Sequence, residues 1–237
     1  MPRMTSDWDR SASAWLSAMA EGGDWARGTV LDPAMLDRVE RGPVRRALDV
    51  GCGEGRFCRL LAREGVEATG IDPTEALIDA ARRRDPQGRY LVGRAEDLPF
   101  PDRAFDLVVS YLSLVDIEDL AAAAAEMARV LVPGGKLLIA NLASHNSAGR
   151  WLKDDRGEAV GYLIDDYLQE RSFRQKWGGV DIVNWHRPLS IYMQAFLRNG
   201  LRLSYFDEPK PRGDAGAAAG RFVRAPWFVV MEWMKEG

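Results

Sequence analysis

Leu48-Asp49-Val50-Gly51-Cys52-Gly53-Glu54-Gly55-Arg56 decides how this 237-residue chain folds. Residues 47–50 read as a short buried strand. Glycines at 51, 53 and 55 let the backbone turn sharply and approach a ligand closely. Phe57, Leu60 and Leu61 then mark one face of a helix, whose first N–H groups are free to bind a ligand. Downstream, residues 67–72 read as a second strand ending in Asp72, about where a ribose-binding carboxylate is expected.

Two kinds of ligand compete for such a turn. A dinucleotide site needs its third glycine at position 56, where this chain has Arg56; the third glycine comes one place early. Asp49 would repel a pyrophosphate but suits a ligand carrying an ammonium and a sulfonium.

The rhythm continues outward. Pro73 and Thr74 open a helix that Arg82, Arg83 and Arg84 close, where positive charge suits the helix dipole. Residues 90–93 and 105–110 read as strands. Leu120, Ala124, Met127 and Leu131 mark a further helix, and Pro133-Gly134-Gly135 turns the chain into a fifth strand over 136–142. Strands alternating with helices of this length imply a parallel sheet with right-handed crossovers. After Leu142 the rhythm breaks. Residues 172–177 and 180–185 flank Gly178-Gly179 as a β-hairpin, a helix follows over Leu189, Met193, Phe196 and Leu197, and residues 201–206 and 227–233 read as two last strands. Trp8, Ala12, Trp15 and Met19 form one face of an N-terminal helix, capped by Thr5 or Ser6 and ended by Gly22-Gly23; it either packs on the core or covers the ligand. Residues 213–220 read as a loop of low complexity.

Taken in order, these segments resemble the class I S-adenosylmethionine-dependent methyltransferases, in particular the small-molecule, ubiquinone-biosynthesis-like subgroup. The glycine spacing after Asp49 resembles their first motif, and Gly70-Ile71-Asp72-Pro73 the second, whose acid holds both ribose hydroxyls. Ala95-Glu96-Asp97-Leu98 resembles the third, in which Asp97 would meet the adenine amino group while its neighbours line the ring. Residues 105–110, ending in Ser110, resemble the fourth strand, and 130–137 the turn into the fifth. The resemblance implies a Rossmann-like doubly wound α/β sheet with strand order 3-2-1-4-5-7-6, the seventh strand antiparallel. It implies S-adenosyl-L-methionine as cofactor and S-adenosyl-L-homocysteine as product. It also implies a cofactor site of Asp49, Gly51, Cys52 (by its backbone), Gly53, Asp72, Pro73, Ala95, Glu96, Asp97, Leu98 and Ser110. The expected organisation is one methyltransferase domain over 1–237, with a helical lid over 1–28 and a cap inserted over 144–187.

Composition narrows the acceptor. A net charge of -3 lacks the basic footprint of most nucleic-acid binders. The two cysteines, Cys52 and Cys58, have no matching histidine spacing, so no metal and no disulfide framework is expected. No apolar run approaches the ~18 residues of a membrane span, and the acidic N-terminus does not read as a signal peptide; the expectation is a cytoplasmic monomer or homodimer. Ser110-Tyr111-Leu112 departs from the Asn/Asp-Pro-Pro-Tyr pattern of exocyclic-amine methyltransferases. Tyr111 and His186 are the catalytic candidates, Tyr111 facing the cofactor and His186 as a general base between hairpin and helix; alternatively, His186 or Arg187 ties the cap to the core. The expected activity is methylation of a small acceptor, oxygen favoured slightly over nitrogen. A protein or RNA methyltransferase, or a non-catalytic S-adenosylmethionine-binding protein, are the rivals.

Overall fold

Apolar side chains on both faces of the strands place the sheet at the centre of the molecule. In the computed structural model, which describes residues 6–19, 24–213 and 220–237, β1 (Arg46–Val50) turns Leu48 and Val50 to one cluster and Ala47 to another. The same alternation runs through β4 (Phe105–Tyr111), β5 (Leu131–Leu142) and β11 (Phe228–Lys235), as a strand buried on both faces requires. Helices α5 (Leu120–Val130) and α7 (Leu189–Leu197) cover one face. A π-helical turn at Arg27–Leu31, α2 (Asp32–Val39) and α3 (Arg56–Arg63) cover the other.

With β2 (Glu67–Asp72), β3 (Arg89–Val92) and β10 (Leu201–Asp207), the sheet has seven strands in the order β3-β2-β1-β4-β5-β11-β10. The pairs from β3 to β5 are parallel, and β11 runs antiparallel to both neighbours. Leaving aside four strands outside this sheet, the order is the 3-2-1-4-5-7-6 expected from sequence. The buried Glu232 on β11 receives Arg38 of α2 at 3.0 and 3.1 Å and Ser204 at 2.8 Å, clamping helix to sheet edge.

Three local readings needed correction. The fifth strand starts at Leu131, not Lys136: Phe105 pairs with Leu131 and Leu107 with Lys136, so the Pro-Gly-Gly segment is looped out within the pairing. The insert after β5 holds two hairpins, not one. A short helix α6 (Ser144–Ser147) leads to β6 (Gly149–Lys153) and β7 (Ala159–Ile164), then β8 (Arg171–Trp177) and β9 (Val180–His186). The stretch from 25 to 39 is helical, a segment absent from the sequence expectations although Val30, Leu31, Ala34, Met35 and Val39 lie on one helix face.

Helix α1 (Asp7–Met19) begins with reciprocal bonds, Asp9 N–H to Ser6 Oγ at 3.0 Å and Ser6 N–H to Asp9 Oδ2 at 2.9 Å. Thr5, the Gly22-Gly23 stop and most of the 213–220 loop lie outside the described residues. The helix docks on β9 through Ser11, whose Oγ donates to Asp181 O at 3.2 Å and accepts from Asp181 N–H at 3.0 Å.

Candidate cofactor and acceptor site

Gly51, Gly53 and Gly55 all have positive φ, at 77°, 54° and 77°, but their surroundings differ. A Cβ on Gly51 would sit 2.3 Å from Ser113 Cβ, and one on Gly55 2.5 Å from Tyr90. Those two are demanded by packing as well as by conformation. A Cβ on Gly53 would meet only the rim of Trp15, at 3.4 Å. The turn is anchored to the next strand by Gly51 N–H and Cys52 N–H, which donate to Ile71 O at 2.8 and 3.1 Å.

Beside the turn opens a cavity of about 740 Å³, a volume suited to a cofactor with a small acceptor. Gly51, Gly53, Asp72 and Pro73 form one wall; Trp8 and Trp15 of α1, Tyr111 at the end of β4, and Trp185 of β9 form another. Asp72 is buried, and its oxygens accept Gly53 N–H at 2.9 Å and Thr74 N–H at 2.8 Å. The Thr74 hydroxyl bonds to it as well, and the carboxylate keeps acceptor capacity for a ligand hydroxyl. Burial raises the Asp72 carboxyl above its usual range, against the Thr74 and Gly53 bonds, which lower it.

Asp49 lies in a smaller recess continuous with the turn, also lined by Arg27 and Tyr111. It is 1% exposed, its Oδ1 has no hydrogen-bond partner, and its only contact of that kind is Cys58 Sγ, 3.6 Å from Oδ2. Burial, with the nearby Asp72 and Glu54 charges, pushes its carboxyl up to about 7. A buried carboxylate oxygen without a donor is a site that a ligand ammonium would satisfy.

The remaining sequence candidates fall into two groups. Pro73, Ala95, Glu96 and Tyr111 line the main cavity, and Cys52 lines the recess. Asp97, Leu98 and Ser110 line neither: Asp97 is exposed, Leu98 donates its N–H to Glu126 at 2.8 Å, and Ser110 Oγ shares a 2.7 Å bond with Ser113 beneath the turn. Tyr111 donates to Asp32 Oδ1 at 2.8 Å, and Asp32 also receives both Nη atoms of Arg56. Burial and the Asp32 charge raise the phenol well above its usual range, so it stays neutral.

His186 is not in the cavity wall. It is fully buried, with Nδ1 bonded to Ser147 Oγ at 2.7 Å and Nε2 to Tyr167 O at 2.8 Å. A ring with both nitrogens engaged inside the fold has none left for a substrate proton, so its geometry suits a tie between hairpins rather than the expected general base. Arg187 ties the same region, sending Nη2 to Glu118 O at 2.7 Å and Nε to Glu170 Oε1 at 2.5 Å.

The sequence reading missed Asp116, Asn184 and Arg27. Asp116 lies in the loop after β4 and lines the main cavity. It accepts Asn184 Nδ2 at 2.5 Å and is also bonded by Trp8. Burial first, then the Asp72 charge, push its carboxyl up to about 8, while the Trp8 and Asn184 bonds lower it. The available signal was the first acid after the run Leu112-Ser113-Leu114-Val115 that follows the fourth strand.

Comparison with known proteins agrees with this geometry. Residues 48–139 match a family model described as a methyltransferase domain. A malonyl-[acyl-carrier protein] O-methyltransferase of Serratia marcescens is 40% identical over 43% of this chain and 40% of its own length. A demethylmenaquinone methyltransferase of Renibacterium salmoninarum is 35% identical over 48% of each chain. This chain thus spans less than half the length of either relative. An S-adenosylmethionine-dependent methyltransferase structure from Mesorhizobium loti is 26% identical with a TM-score of 0.78, covering 91% of this chain and all of that one. The chain is thus similar to S-adenosylmethionine-dependent methyltransferases in the sequence of residues 48–139 and in its fold.

Proposed function

We propose that this chain transfers the methyl group of S-adenosyl-L-methionine to a small-molecule acceptor, to oxygen slightly in preference to nitrogen. The observation that carries this reading is one cavity holding the glycine turn and Asp72 together with a wall of Trp8, Trp15 and Trp185. The residues fit the cofactor: Asp72 has lone pairs for the ribose hydroxyls, and the unpartnered Asp49 Oδ1 suits an ammonium. Ala95 and Glu96 would lie along the adenine, with Asp97 and Leu98 supporting that loop and Ser110 the turn. Bound there, the cofactor supplies an electrophilic methyl on a sulfonium. The chain's own part is to align the acceptor and exclude water.

In this reading residues 1–237 act as one domain, with 1–28 as a lid and 144–187 as a cap, in a cytoplasmic monomer or homodimer. No helix of the described residues is long and apolar enough to cross a membrane. The test is calorimetric binding of S-adenosyl-L-homocysteine, followed by a metabolite-library screen for its release. Micromolar binding with turnover of a small acceptor is expected. Failure to bind would overturn the cofactor assignment; turnover confined to protein or RNA would overturn the acceptor class.

A further inference from the structure

We propose that Asp116, held by Asn184, takes the acceptor's proton, and that the acceptor is a flat, uncharged molecule bearing an acidic hydroxyl of the phenol type. This rests on the methyltransferase reading above and names its acceptor side.

The loop carrying Asp116 is fixed from every direction. Trp185 N–H donates to Val115 O at 2.7 Å, Arg187 reaches Leu114 O at 3.3 Å and Glu118 O at 2.7 Å, and Asp116 N–H closes a turn on Ser113 O at 3.0 Å. The carboxylate is therefore held in place before any ligand arrives, as efficient proton transfer requires. Its neighbours Asn184 and Trp8 are donors only toward it, so its spare lone pairs can accept from a ligand hydroxyl.

Charge selects among acceptors. The cavity wall carries Asp72, Glu96, Asp116 and Glu118 against Arg27 and Arg94. Both guanidiniums are already paired, Arg27 with Asp24 and Arg94 with Glu96 at 2.9 Å. An anionic acceptor would thus meet net repulsion. An amine beside an ionised Asp116 would be held as ammonium, whose lone pair is occupied. A neutral hydroxyl meets neither obstacle, and aromatic walls at Trp8, Tyr111 and Trp185 suit a flat body.

The balance is simple. The acceptor oxygen forms its bond to the methyl carbon, the carbon–sulfur bond breaks with its electron pair remaining on sulfur, and the hydroxyl proton passes to Asp116 and then to solvent. The groups facing Asp116 are Trp8 from α1, Asn184 from β9, Asp72 from the end of β2, and Arg27 from the π-helical turn. A positive charge entering the cavity favours the ionised carboxylate, the form that accepts a proton.

The test uses naphthol, naphthylamine and naphthoic acid, which share one flat body. The parent should methylate naphthol at least ~10-fold faster than the other two, and Asp116→Asn should lose ~100-fold or more in naphthol turnover. Asp116→Asn should keep parental affinity for S-adenosyl-L-homocysteine and lose the naphtholate absorbance that the parent develops on binding naphthol. Asn184→Asp places a second carboxyl beside Asp116 and should move the acid limb of the naphthol pH profile upward. Parental turnover or naphtholate signal in Asp116→Asn, an unmoved limb in Asn184→Asp, preference for the amine or acid, or no transfer to any of the three would each overturn the proposal. A parent that binds no S-adenosyl-L-homocysteine overturns the cofactor reading instead, and this proposal with it.

Discussion

The cavity has two walls built in opposite ways. The glycine-turn wall is assembled from neighbours: Gly53 reaches Asp72 across 19 residues, and Thr74 reaches it across 2. The aromatic side and its supports are assembled from afar: Tyr111 reaches Asp32 across 79 residues, Asp116 reaches Asn184 across 68, and Ser11 reaches Asp181 across 170. The first wall is fixed by one strand-turn-helix unit and its parallel neighbour. The second exists only once α1, the insert and the loop after β4 have met. On the proposed reading, the cofactor side is thus built into local backbone, while the acceptor side depends on tertiary assembly.

The sharpest way to break this contrast is Gly51→Ala. The new Cβ would fall 2.3 Å from Ser113 Cβ, on a residue with φ of 77°. Overpacking together with left-handed strain should destabilise the fold by ~2–4 kcal/mol, readable by denaturant melts. An unchanged midpoint would mean that the turn is far more pliable than a locally fixed wall can be. Asp72→Ala comes next. It removes the acceptor for two backbone donors and for the ribose hydroxyls, and should weaken S-adenosyl-L-homocysteine binding by ~1–3 kcal/mol in calorimetry on folded protein. Parental affinity would sink the role given to Asp72.

The same contrast explains what could be read from sequence. The glycine turn and Asp72 are read from residues 48–72, whereas the seven-strand order follows only from the resemblance of residues 47–142 to one family. The β8–β9 hairpin announces itself through Gly178-Gly179, both at positive φ. The β6–β7 hairpin has a turn glycine too, Gly157 at positive φ, but its strands carry no buried face, and Leu152, Val160 and Ile164 remain exposed on it. His186 and Asp116 show the limit most clearly. A histidine at a hairpin end reads equally as base or tie until Ser147 and Tyr167 are seen to occupy both nitrogens. Asp116 reads as a solvated loop acid until Asn184 and Trp8 are seen against it.

His186→Asn tests the ties that hold the insert behind the distant wall. Losing its two buried bonds should cost about 1–2 kcal/mol of stability and lower the melting temperature. Turnover per folded molecule at a permissive temperature should remain within about threefold of the parent, whereas loss of a general base costs ~100-fold or more. A ~100-fold loss with unchanged melting would return His186 to catalysis and make the distant wall more reactive than its hydrogen bonds allow.

The smallest effect concerns the local wall and is a pH dependence. Asp49 has its carboxyl raised to about 7 by burial, with Asp72 and Glu54 nearby. Near neutral pH it is therefore partly protonated in the free protein. An ammonium placed against its unpartnered Oδ1 favours the ionised form, so binding lowers the pKa and releases a proton. The sign follows: affinity for S-adenosyl-L-homocysteine should rise as pH increases toward about 7 and level off above it, changing at most ~10-fold per pH unit while it does so. Asp49→Asn should flatten this rise, and Asp116→Asn should leave it intact. Calorimetry in buffers of different protonation enthalpy would count the proton directly. If parent and Asp49→Asn show the same slope below neutrality, the ammonium does not lie against Asp49, and the recess beside the glycine turn serves packing rather than the cofactor.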